Sequence, residues 1–259
     1  MKSFLKESLF AYKGLFMWLN TAGFISAIIL YPIATVLMYT LIGRFGGGTG
    51  SSYALSIITI SMSFSAIGGL SQSYSYDRSF GTISYVFASR GSRLKNFLAR
   101  EVLHFPNAII AFILGLATAC MLTDMTLNSV SWLPFILSVL VIGFSLVNFG
   151  QALGVVSIVS NHWIDTMHIA LGVQMSLCGA IIPLEILPKP LVYIGHLLPI
   201  TNGLTAVKRA FSGASFSEVY KYIVYELIIG LSYCVISYAA FRIFELIAKK
   251  YGTLDMDVR

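Results

Sequence analysis

Asp165 lies three residues after His162 and three before His168, a spacing that gathers imidazole and carboxylate groups on one face of a helix and is the nearest this chain comes to a metal site. The same residues read better as the start of a membrane helix, with Asp165 as its N-cap and the histidines facing water or headgroups. No metal is expected. A second candidate is the run Gly46, Gly47, Gly48, Thr49 and Gly50 followed by Ser51 and Ser52, which resembles a phosphate cradle but lacks the lysine of G-x-x-x-x-G-K-[ST]. It is read as a turn between two spans, so nucleotide hydrolysis must come from another chain. His104 and His196 are isolated, and neither H-E-x-x-H nor G-x-S-x-G occurs. Cys120, Cys178 and Cys234 have no C-x-x-C spacing and read as packing residues.

Ionisable residues at membrane depth are costly and are functional candidates by default. None stands at the centre of an apolar run. Glu185 and Glu226 lie toward the ends of two runs, within reach of Lys189, Lys208, Arg209 or Lys221, and are read as structural pairings that hold a broken segment to the last span. A proton relay would need charge at depth. The apolar runs do carry hydroxyl, amide and small residues, which let membrane helices approach and bond across their interfaces. Packing is the plainer reading; the functional one makes Ser61, Ser65, Gln72, Asn148, Gln151 and Gln174 a mildly polar path at a subunit interface.

The elements that must position these residues follow from composition. The 259 residues are 57% apolar and 11% charged, against about 25% charged in a soluble domain. Lys and Arg cluster at the ends of apolar runs, so the net charge of +6 speaks of membrane topology and not of nucleic acid. A span needs about 20 apolar residues, which leaves room for about six spans and no soluble catalytic domain.

The sequence predicts an all-α integral membrane protein. Residues 1–19 place Phe4, Leu5, Leu9, Tyr12, Phe16 and Leu19 near one helical face, as in a helix lying in the interface. A cleaved signal peptide is disfavoured, because the following run is too long for an h-region and has no A-x-A exit. Spans one to five occupy 20–182: Asn20–Gly43, interrupted only by Pro32, then Tyr53–Ser75, Val102–Leu122, Trp132–Val156 and Thr166–Ile182. Residues 76–101 form a polar, basic loop. Residues 183–220 contain Pro183, Pro188, Pro190 and Pro199 between short apolar pieces, and are read as re-entrant half-helices. Span six fills 221–247, and 248–259 is a polar tail. With both termini cytoplasmic, twelve of the seventeen Lys and Arg residues face inward.

This layout resembles the membrane subunit of an ABC-2 type (G-like, type V) ABC transporter over nearly the whole chain. Asp77, Arg78, Gly81, Thr82 and Ile83 match the acidic-basic pair and G-T-[LI] that follow span two in that family. Leu198, Pro199, Ile200 and Thr201, followed by Lys208 and Arg209, match its L-P-[LI]-T element and the basic residue beyond. Ser89, Arg90 and Gly91 stand where family members commonly place a proline. The importer-type E-A-A…G loop is absent, which favours the exporter class.

The resemblance implies that residues 1–259 form one ABC-2 type transmembrane domain, a non-catalytic permease in a bacterial-type inner membrane. It implies a separate ATPase subunit carrying ATP and Mg. That subunit would dock on the interface helix, on the loop with Asp77, Arg78, Gly81, Thr82, Arg90 and Arg93, and on the connection with His162 and Asp165. A second permease chain, identical or a sister, would face the first through spans two and five. Pro183, Glu185, Pro188, Pro199, Thr201 and Arg209 would form an outer gate. An aromatic content of 14% and weakly polar spans favour an amphipathic or hydrophobic cargo, with a drug, lipid or small peptide ahead of a lipid-linked glycan. A multi-pass assembly protein would not need the re-entrant segment, and an intramembrane enzyme would need deep acids or histidines.

Overall fold

The computed structural model describes residues 25–45, 50–82, 85, 92–123, 125–157 and 163–251. The expected interface helix at 1–19, Arg90, His162 and the end of the tail lie outside the described residues. Among the described residues the chain is helical and has no strand.

A single π-helical turn, Ser26–Leu30, leads into α1, Tyr31–Phe45. Pro32 is the cause. It lacks an N–H and crowds the carbonyl four residues back, and the chain widens there so that Tyr31 donates to the Ser26 carbonyl five residues away.

Helix α2, Ser51–Ser79, is the most enclosed of the long helices, packed by α1, α3 (Arg93–Leu122) and α4 (Trp132–Ser157). Several of its hydroxyls are satisfied within the helix: Thr59 donates to the Leu55 carbonyl at 2.7 Å and Ser61 to that of Ile58 at 2.8 Å. Glycines set the spacing of α4 against it. A Cβ on Gly150 would stand 2.9 Å from the Ile67 Cα, and one on Gly154 would stand 2.5 Å from the Tyr74 ring. Gly150 and Gly154 form a G-x-x-x-G pair, the pattern that lets two membrane helices touch through their backbones.

Helix α5, Trp163–Leu177, has 15 residues, or roughly 22 Å of rise. That is shorter than the ~30 Å hydrocarbon layer, and the helix stops before the expected Ile182. Gly179 adopts φ +74°, and Pro183 closes the bend. A 3₁₀ turn, Leu184–Ile186, then α6, Lys189–Leu197, and α7, Thr201–Phe211, replace a straight chain. Helix α8, Phe216–Tyr251, begins before the expected 221 because Ser215 and Glu218 form an S-x-x-E start, the Ser215 hydroxyl meeting the Glu218 carboxyl at 2.9 Å. Among the described residues four helices, over 51–79, 94–122, 132–157 and 216–247, are long and apolar enough to cross a membrane, with a shorter apolar helix over Ile28–Gly43.

Candidate functional site

Polar chemistry is concentrated at the two ends of α2, roughly 35–40 Å apart by helical rise. At the first end, α2 terminates through Gly81, whose φ of +67° is a left-handed conformation that glycine adopts without Cβ strain. Phe80 donates its N–H to the Tyr76 carbonyl at 2.8 Å, and Gly81 donates to that of Arg78 at 2.9 Å. The Thr82 hydroxyl turns back onto Asp77, 2.8 Å from its carboxyl oxygen. The D-R-x-x-G-T motif is therefore a built helix terminus.

From α3, the buried Arg100 donates to the other Asp77 oxygen and to the Ser73 hydroxyl at 3.2 Å, with its guanidinium 4.5 Å from the centre of the Tyr74 ring. Gln151 of α4 completes the cluster, donating to the Tyr74 hydroxyl at 2.7 Å and the Phe97 carbonyl at 3.1 Å. Three helices are thus tied together directly behind the motif. Glu101 and His104 are buried beside it on α3, and Gly69 leaves the space that the His104 ring fills.

At the second end, the broken segment between α5 and α8 hangs on one carboxyl group. Glu226 of α8 is fully buried and accepts the backbone N–H groups of Ile200 at 2.8 Å and Gly203 at 3.0 Å, the first turn of α7. Acidic groups are favoured at helix N-termini because the N–H groups there lack partners within the helix. Ile200 is held at φ +88°, an unusual conformation for a β-branched residue that persists only where its surroundings impose it. Gln174 of α5 donates to the Pro199 carbonyl at 3.1 Å, and the Thr201 hydroxyl donates to that of Gly195, so the turn is gripped from both sides.

Beside this clamp lies a cavity of about 610 Å³, lined in part by Ser52, Tyr53 and Ser56 of α2, by Cys178, Pro183 and Glu185, and by Thr205, Lys208 and Arg209 of α7. Burial pulls the Lys208 ammonium below its usual pKa, against the opposing pull of Cys178 and Glu185. The Arg209 guanidinium stacks over Tyr222 at 4.9 Å.

The structure gathers Asp77, Arg78, Gly81 and Thr82 at one turn, with Arg93 opening α3 and Asp165 exposed in the first turn of α5. Of the residues read as a polar path, Ser61, Asn148, Gln151 and Gln174 are buried within the chain, while Ser65 and Gln72 are half-buried. Asn148 donates to the Phe144 carbonyl and Gln72 to the Tyr76 hydroxyl, both at 2.8 Å. Pro183 and Glu185 line the cavity, Pro188 caps α6, and Pro199 and Thr201 form the gripped turn. Arg100 proves to be a core residue of α3 and not part of a solvated loop. Glu226 engages backbone N–H groups in place of the lysines expected to pair with it. The S-x-x-E start of α8 was readable in the sequence; the partners of Tyr74 and Arg100 were not.

The described residues thus form a bundle of helices, four of them long and apolar enough to cross a membrane, with a broken, clamped segment before the last of them. The family model described as ABC-2 type transporter matches residues 9–211, and the chain belongs to that family. No curated protein matches it.

Proposed function

We propose that this chain is the permease subunit of an ATP-driven exporter in a bacterial-type cell membrane, with both termini cytoplasmic. A separate ATPase, carrying ATP and Mg, docks at the Asp77 end. The observation that carries this reading is the D-R-x-x-G-T turn, which α3 holds through Arg100 and α4 holds through Tyr74 and Gln151. A push on such a turn moves three packed helices together, because buried polar networks resist piecewise rearrangement.

The far end of α2 lines the cavity beside the re-entrant segment, so the motion reaches the outer mouth through a single helix. There α6 and α7, hung on Glu226, act as the gate. The chain works with a second permease, identical or a sister. Of the two spans expected at that contact, α2 is mostly enclosed while α5 presents Ile164, Ile169 and Val173 outward, so α5 is the better candidate. The cargo is amphipathic or hydrophobic, since the described spans place no exposed charge at their centres.

The test is recovery of the tagged chain from its native membrane in detergent, followed by an ATPase assay with and without orthovanadate. Co-purification of an ATP-binding cassette subunit with vanadate-sensitive hydrolysis is expected. The chain recovered alone, without hydrolysis, from a membrane shown to express it would refute the reading and favour a multi-pass assembly protein.

A further inference from the structure

The cavity at the Glu226 end has a chemistry of its own. Two adjacent cations of α7, Lys208 and Arg209, reach it, and among the described residues no carboxylate comes within the 4.0 Å of an ion pair with either. Glu185 lies on the rim and acts on Lys208 only at longer range. Three of the wall hydroxyls are already committed as donors: Ser56 to the Ser52 carbonyl at 3.1 Å, Thr205 to that of Thr201 at 3.2 Å, and Tyr53 to that of Tyr39 at 3.4 Å. Their oxygens remain as acceptors. A ligand that satisfies this wall is an anion that also carries hydroxyl donors.

The flank of the cavity is apolar and open. Ile181 lines it and is 42% exposed, and Ile182 and Ile186, close by in the chain, are 38% and 73% exposed. Exposed apolar residues of this kind beside a charged recess suit a molecule with a polar head and hydrocarbon tails better than a free ion.

We propose that this cavity binds the phosphodiester headgroup of an anionic phospholipid. Its phosphate oxygens accept from Lys208 and Arg209, its hydroxyls donate toward Ser56, Thr205 and Glu185, and its acyl chains lie over Ile181, Ile182 and Ile186. The site stands apart from the export reading, because it needs neither a partner ATPase nor turnover.

The test is native mass spectrometry of the full chain in detergent, titrated separately with phosphatidylglycerol and phosphatidylcholine. The wild-type chain is expected to retain phosphatidylglycerol preferentially. Lys208→Gln should weaken that retention about tenfold, the scale of one hydrogen bond to a charged group, while Lys208→Arg should preserve it. Arg209→Gln, at an exposed position, should weaken retention severalfold and serves if Lys208→Gln does not fold. Equal retention of the two lipids, or retention that neither neutralising variant changes, would overturn the proposal. Displacement of phosphatidylglycerol by millimolar inorganic phosphate would overturn it in favour of a free-anion site.

Discussion

Removing the Glu226 carboxyl should unhook the start of α7 from α8. In Glu226→Ala the N–H groups of Ile200 and Gly203, now at 2.8 and 3.0 Å from carboxyl oxygens, lose their acceptors in a fully buried setting. An orphaned buried donor costs about 1–3 kcal/mol, so the pair is worth about 2–6 kcal/mol. Glu226→Gln keeps one carbonyl oxygen and therefore orphans one donor, at about 1–3 kcal/mol. For a chain of this size each kcal/mol moves the midpoint by roughly 2–4 °C. Alanine should thus lower Tm by at least about 4 °C, and glutamine by about half as much. The assay is thermal unfolding of the purified chain in detergent, followed by tryptophan fluorescence. The reasoning fails if both variants melt together, or if alanine melts within about 1 °C of the wild type, because the difference of one acceptor is the whole argument.

The glycines of the bundle predict opposite outcomes for one substitution. Gly154→Ala drives a Cβ into the Tyr74 ring and should cost about 1–3 kcal/mol, whereas Gly172→Ala, on α5 with nothing within 4 Å of the new atom, should be neutral or stabilising by up to about 1 kcal/mol; thermal melts separate them. Arg100→Met strands Asp77, whose side chain is 25% exposed, and should cost about 2–3 kcal/mol, less than a fully enclosed pair; Asp77→Asn combined with it should recover part of that loss in the same melt. Arg78→Glu, in the turn proposed to receive the ATPase, should leave membrane insertion and ATP hydrolysis intact while abolishing export from vesicles, and unchanged export would remove the residue from the proposed coupling surface. Because burial lowers the folded pKa of Lys208 below 10.5, the unfolded chain binds more protons just under that pH. Wild-type stability should therefore rise with pH through that window, relative to Lys208→Met, in paired melts.

The spans over 51–79, 94–122 and 132–157 were legible because they are apolar over most of a bilayer's thickness, and length with composition decides that locally. The broken segment was legible for the same kind of reason: four prolines leave no room for a continuous helix between 183 and 220. Pro32 could be seen as an interruption, and only the widened turn before it shows how the helix continues.

The helix boundaries around polar residues were less accessible. Residues 76–101 read as one loop because Arg100 and Glu101 are charged, and charge is a poor guide once a partner is buried beside it. Asp77 and Tyr74 supply that partner from a helix whose relevant residues stand more than twenty positions earlier in the chain. Glu226 was singled out from the sequence as an ionisable residue near a span end, yet its acceptance of two backbone N–H groups depends on the direction in which α7 enters. That direction follows from a left-handed Ile200 that no side-chain pattern announces. Hydrophobic length, proline and glycine act within a few residues, so the sequence alone determined the membrane class, the places of the four long apolar helices and the family. Buried polar pairings depend on which helices approach through their glycines and at what height, and only the tertiary structure decided them.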